Sequence, residues 1–217
     1  MINVVCVRAG KKYKFHYVEK LRNMVGRFLK TEYRFICLTD QPERAEGIDS
    51  IDITDYKLDG WWAKMALFDR SLIEGKILYL DLDTVILGNL GSLAALDLYF
   101  GICENFTYLA GHDDWPCRFG SCVMVLEDGF GTKVWETFNR DRFRYIRDNP
   151  KGDQQAIEKI QINAHFLQNQ LPENYLIDRR VVQANPDKPP PGAVVVNFGG
   201  SYKPNTCKVA WVEKAWQ

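Results

Sequence analysis

The sequence predicts an α/β fold with a mostly parallel sheet flanked by helices, on three observations. Short β-branched runs alternate with stretches of helical periodicity through the first half of the chain. The run KILYLDLDTVIL (76–87) is apolar on both sides of Asp81 and Asp83, as in a strand covered on both faces. The chain has 217 residues, 46% hydrophobic and 26% charged, enough for one domain with a sizeable core.

The elements follow in order. INVVCV reads as the first strand, and HYVEKLRNMVGRFLK as a helix, because Val18, Leu21, Val25 and Phe28 recur at helical spacing. YRFICLTD and SIDITDY are short strands. WWAKMALFDRSLIEG is predicted as a helix with Trp61, Met65, Phe68 and Leu72 on one stripe, ending at Gly75. The 76–87 strand comes next. Beyond residue 88 the texture is less regular: FGICENF and SCVMVLED read as strands, TKVWETFNRDRFRYIRD as one helix and DQQAIEKIQ as a shorter one. NPDKPPPG is a turn or linker before a last strand, AVVVNF.

Composition excludes several functions. Lys plus Arg, 28, equals Asp plus Glu, 28, and no basic block exists, so the footprint of a nucleic-acid binder is missing. No stretch reaches the roughly 20 apolar residues of a membrane span. The six cysteines form no CxxC pair and no disulfide spacing; buried free thiols and a reducing compartment are expected. MINVVCV opens directly on a strand without a leader-like segment, so a cytoplasmic location is expected.

The two carboxylates in the oily run carry the functional argument. In a strand, residues i and i+2 face the same way, so Asp81 and Asp83 project together with Leu82 opposite. Two adjacent carboxylates repel, and burying either one unpaired is costly. A hard divalent cation, Mn²⁺ or Mg²⁺, resolves both problems. Open α/β sheets bind ligands at the carboxyl ends of their strands, where the pair lies if the strand stops near Leu80. Solvated turn residues at a strand end are the plain alternative.

Two enzyme classes hold a metal on such a pair. A haloacid-dehalogenase-like phosphatase would use Asp81 as nucleophile, and Asp81-Leu82-Asp83-Thr84-Val85 matches its first motif. That motif belongs on a first strand, however, whereas several elements precede this one. The second class is better matched. WWAKMALFDRSLIEGKILYLDLDTVILGNLGSL resembles the core of GT-A-fold nucleotide-sugar glycosyltransferases similar to glycosyltransferase family 8. RFGSCVMVLEDG, GDQQAIEK and VVVNFGGSYKP are similar to later segments of that family, in the same order.

The resemblance implies a single GT-A-like domain over 1–217, with a Rossmann-type nucleotide-sugar-binding half (1–90) and a smaller acceptor-side half (91–217) that ends in a metal and diphosphate loop. It implies a hexose-type sugar moved with retention from a UDP-sugar to an acceptor, whether glycan, protein or small molecule. Asp83 would be the firmer metal ligand. Asp81 would reach the metal or the donor hydroxyls, with Leu82 between them. Arg8, Ala9 and Gly10 would hold the nucleobase and ribose. Tyr13 would stack on the base or simply pack. Lys64 would contact the donor, unless it is a solvated helix lysine. Gly199, Gly200 and Lys203 would meet the diphosphate. Asp153 would face the transferred sugar as a catalytic carboxylate or serve only as a helix N-cap. Ser121 would lie in the sugar pocket beside Cys122, which replaces a common glycine of the family; Asp113 and Asp114 would fall on the acceptor side. The family's third metal ligand is a histidine where this chain has Asn197, a weaker donor for Mn²⁺. A nucleotide-sugar-binding protein that no longer turns over is therefore a further alternative.

Overall fold

Residues 1–112 and 115–217 are described by the computed structural model. In chain order they form β1 (Ile2–Arg8), α1 (His16–Phe28), β2 (Tyr33–Thr39), β3 (Asp49–Asp52), β4 (Ile77–Leu80), β5 (Thr84–Ile86), α2 (Gly91–Ala94), β6 (Phe100–Glu104) and α3 (Phe106–Leu109). The second half adds β7 (Phe119–Leu126), α4 (Thr132–Arg140), α5 (Arg142–Asp148), α6 (Asp153–Ile160), β8 (His165–Phe166), β9 (Leu176–Asp178), α7 (Arg179–Ala184), β10 (Val195–Asn197) and α8 (Ala210–Ala215).

Seven strands make the large sheet in the order β3-β2-β1-β4-β7-β6-β8. All pairings are parallel except those of β7 with β4 and with β6, so β7 alone runs against the rest. The expected α/β architecture with a mostly parallel sheet is what forms. A second sheet has the order β5-β10-β9.

Alternation along the central strands sorts the core. Val4, Cys6, Leu78 and Leu80 face one apolar layer with α1 and the small sheet. Val5, Ile77 and Tyr79 face the other, which contains Trp62, Ala63, residues 65–68, Val134, Phe138, Ala156 and Ile157. Burial on both faces explains why β4 is apolar at every position.

Three expectations about elements are corrected. The 76–87 run is not one strand: β4 ends at Leu80, and the chain crosses to the small sheet over Asp81-Leu82-Asp83. Cys122 still holds the Asp81 N–H at 2.9 Å, and Thr84 N–H turns back onto the Asp81 carbonyl at 3.1 Å. Leu82 keeps the parity of Leu78 and Leu80 and enters their layer, 2% exposed. The segment Gly60–Phe68 is a 3₁₀ helix rather than an amphipathic α-helix. Every residue from Trp62 to Phe68 is buried while Trp61 is exposed, so the stripe expected from Trp61 does not exist. A segment buried on all sides carries no periodic signal. The long helix expected over 132–148 is broken into α4 and α5 at Asp141, whose φ of −137° leaves the helical region.

Candidate functional site

The crossover at Asp81–Asp83 lies on the floor of a cleft of about 1120 Å³. The cleft is lined from the first half by residues of the β1–α1 loop, the 60–68 helix and the crossover itself. Its other walls come from β7, the start of α6, the β9–α7 junction and the loop after β10. Both aspartates face it.

The expected repulsion between them is answered by side chains, because each carboxylate has its own ammonium group. Lys64 comes from the 3₁₀ helix and is buried, which removes the solvated-surface alternative. Its Nζ lies 2.9 Å from Asp81 Oδ1 and 3.4 Å from Asp153 Oδ2. It also donates to Ser121 Oγ at 3.0 Å and to the Ser121 carbonyl at 3.1 Å. Tyr79 donates to Asp81 Oδ1 at 2.5 Å, and Ser121 Oγ donates to Asp153 Oδ2 at 2.5 Å. Burial pushes the Lys64 ammonium down, but the Asp153 and Asp81 carboxylates outweigh it and the net shift is upward. Burial also raises the Asp81 carboxyl; Lys64 opposes and Asp83 adds, leaving it above the usual carboxylate range.

Asp83 is 4% exposed. Its Oδ2 accepts from Tyr13 Oη at 2.8 Å and pairs with Lys203 Nζ, which also donates to the Phe198 carbonyl at 3.0 Å. Tyr13 therefore turns its hydroxyl toward the carboxylate, and burial followed by the Asp83 charge pushes that hydroxyl far up.

Asn197 ends β10, level with Thr84 of β5 on one side and Asp178 of β9 on the other. Its Oδ1 is buried without a hydrogen-bond partner, as is Thr84 Oγ1. Among the described residues, Asp81 Oδ2 and Asp83 Oδ1 also carry no hydrogen bond. These hard oxygens suit Mg²⁺ or Mn²⁺. The described residues contain no cluster of three His, Cys, Asp or Glu able to hold a metal; the oxygens that line this part of the cleft come from two carboxylates and an amide.

Ala9, Leu82, Ser121, Gly199 and Gly200 also line the cleft. Arg8 and Gly10 are not among the lining residues. The buried Arg8 guanidinium bonds the Tyr13 and Gln41 carbonyls at 3.2 and 3.0 Å and pairs with Glu43 at 2.7 Å. It holds the β1–α1 loop in place from behind. Gly10 donates to Asp40 and accepts from Gln41, fastening the same loop. Asp153 is the first residue of α6, 4% exposed, and makes no capping bond of its own; the residue before it, Gly152, occupies the N-cap. Asp113 and Asp114 lie outside the described residues.

Several cleft residues escaped the sequence reading. Lys12, Trp61, Trp115, Lys151 and Arg179 all line the cleft. Trp61 is 58% exposed and packs over Gly152, where a Cβ would come within 2.7 Å of the indole nitrogen. That contact and a φ of +86° both require glycine before Asp153. The Gly-Trp-Trp sequence ahead of Lys64 was the available signal for Trp61. Nothing local marks Arg179.

No protein-family model and no curated protein matches the chain. Solved structures do. An active-site mutant of LgtC superimposes with a TM-score of 0.67 at 15% identity, over 98% of this chain and 93% of that one. The galactosyltransferase LgtC in complex with donor and acceptor sugar analogues gives 0.61 at 15% identity, over the same shares of both chains. The glycosyltransferase GlyE of Streptococcus pneumoniae TIGR4 gives 0.67 at 20% identity, over all of this chain but only 61% of GlyE. The chain thus has the GT-A-like fold of these glycosyltransferases, and it spans about three fifths of the GlyE chain.

Proposed function

We propose that the chain is a metal-assisted glycosyltransferase that moves a hexose-type sugar, with retention, from a UDP-sugar to an acceptor. The observation that carries this reading is the placement of Asp81 and Asp83. They sit where the chain leaves the large sheet, facing a cleft large enough for two ligands, in a fold shared with sugar transferases.

Asp81, Asp83 and Asn197 would hold the divalent cation. When bound, it supplies charge neutralisation for the departing diphosphate. The remaining roles belong to side chains. Tyr13 orients the Asp83 carboxylate through its hydroxyl. Lys203, on the loop that carries Gly199 and Gly200, stands beside Asp83 and can turn to a phosphate oxygen. Lys64 and Ser121 fix Asp153 in one orientation at the cleft wall, where its carboxylate would position the sugar as its anomeric carbon gains positive character. The buried thiols fit a reducing compartment. Among the described residues, no helix is long and apolar enough to cross a membrane.

Incubating the protein with Mn²⁺ and a panel of nucleotide-sugars, with mass spectrometry of the released nucleotide and transferred or hydrolysed sugar, tests the reading. Asp83→Ala should lose more than tenfold in kcat, over about 1.4 kcal/mol of barrier. Retention of more than a tenth of the rate by a folded variant would remove Asp83 from the mechanism. Release of inorganic phosphate from simple phosphomonoesters would favour the phosphatase. Saturable binding without turnover would leave a binding protein.

A further inference from the structure

The cleft contains more cationic side chains than the diphosphate loop alone supplies. Lys64 is held by Asp81 and Asp153, Lys203 by Asp83, and Arg180 by Asp178 and the Phe106 carbonyl. Lys151 lies 4.3 Å over the Trp115 ring. Of the cations without an ion pair among the described residues, Lys12 and Arg179 are the two that neighbour Lys203 or its loop. Neither makes an ion pair or a side-chain hydrogen bond among the described residues, yet both line the cleft.

Both stand next to Lys203 or its loop. The Lys12 ammonium is 5.1 Å from the centre of the Tyr13 ring, and the Lys203 ammonium is 5.6 Å from the same centre. Two ammonium groups thus flank one ring, whose hydroxyl bonds Asp83. The Arg179 guanidinium lies against Gly200, with Nη2 and Cζ at 3.6 and 3.7 Å from where a Cβ would stand. Gly200 has a φ of +82°, which disfavours any side chain between it and Arg179, itself a lining residue of the cleft. Burial first, and then the Lys203 charge, pushes the Lys12 ammonium below its ordinary range. Like charges are held together here at a cost that an incoming anion would reverse.

We propose that Lys12 and Arg179 are donor-binding residues which, with Lys203, form a clamp of three cations around the donor diphosphate. This rests on the glycosyltransferase reading. The three residues come from separate elements, the β1–α1 loop, the start of α7 and the loop after β10, so they can approach a diphosphate from different directions. Arg179 can bind one phosphate through two N–H groups, which a lysine cannot do. A leaving nucleoside diphosphate gains negative charge as the sugar departs, and the clamp meets that charge with side chains. It compensates for a metal site with only two carboxylates, and the chain is expected to retain donor affinity when the cation is removed.

Calorimetric titration of UDP, UMP and uridine into the wild type in EDTA, and again with Mn²⁺, tests this. The wild type should bind UDP more tightly than UMP in EDTA. Lys12→Ala and Arg179→Ala should each weaken UDP in EDTA by about tenfold, the scale of one charge-assisted contact, and leave uridine unchanged. Arg179→Lys should fall between, because it keeps the charge and loses the paired donors. Should an alanine variant melt early, Lys12→Gln and Arg179→Lys carry the comparison. Unchanged UDP affinity in the double variant would overturn the clamp. So would a rise only in the acceptor KM, which would assign Arg179 to an anionic acceptor. Failure of the wild type to bind UDP, GDP, CDP or ADP even with Mn²⁺ would sink the glycosyltransferase reading itself, a result distinct from loss of the clamp alone.

Discussion

Removing the Lys64 ammonium would leave Asp81 and Asp153 in the cleft wall without their shared counter-ion. Breaking a buried pair by deleting one partner costs about 3–5 kcal/mol, so Lys64→Met should lower stability by that order in urea titration. Adding Asp153→Asn should recover part of the loss, since one of the two stranded charges disappears. The pH dependence has a definite sign. Lys64 is shifted upward, so its contribution is complete below about 10.4, the ordinary lysine value, and is lost only as pH rises through its higher folded value. Asp81 is shifted upward as well. Between about 3.9 and its folded value the native state holds a proton that the unfolded chain has released, so stability falls as pH rises through that window. Asp81→Asn should abolish this decline. An identical stability profile in the variant would mean that Asp81 is not shifted upward on folding.

At the scale of elements, the end of β10 is where the proposed cation site can be tested. Asn197 sits level with Thr84 and Asp178 across the small sheet, and its amide oxygen is buried without a partner. An amide is a neutral, hard donor, so the native site should discriminate little between Mg²⁺ and Mn²⁺. Asn197→His should tighten Mn²⁺ in the presence of UDP and widen its lead over Mg²⁺, as read by Mn²⁺ electron paramagnetic resonance. Unchanged Mn²⁺ affinity would show that residue 197 does not touch the cation. The turn before α6 works differently, because Gly152 gives way to Trp61 above it and so sets where Asp153 enters the cleft.

For the whole molecule, the cleft is a seam between two sheets. One wall belongs to the large sheet and its 3₁₀ helix, the other to the small sheet and its loops. A ligand in the seam binds only the folded chain and therefore stabilises it. At 100 times Kd this contributes about 2.7 kcal/mol, or roughly 5–10 °C in Tm for a chain of this size. UDP with Mn²⁺ should raise Tm more than either alone if, as proposed, the diphosphate and the aspartates would share one cation. UDP shifts that are equal with and without Mn²⁺ would separate nucleotide binding from the metal.

The sequence by itself determined the buried central strand, the carboxylates at its end, helices α1 and α6, and the glycine loop before Lys203. Each is a local pattern: alternation, helical spacing, or a polar break in an apolar run. Tertiary structure alone decided the rest. It sent Leu80 and Thr84 into different sheets, because pairing partners for Thr84–Ile86 arise more than a hundred residues later in β10. It wound 60–68 into a 3₁₀ helix with Lys64 inside, since the groups that satisfy that ammonium, at Ser121 and Asp153, are distant in sequence. It drew Arg8 away from the cleft toward Glu43 and Gln41, and brought Lys12 to the Tyr13 ring that Lys203 also meets and Arg179 against Gly200. Lys203 and Asp83 are 120 residues apart, and periodicity within a window cannot report which distant charge a side chain will meet.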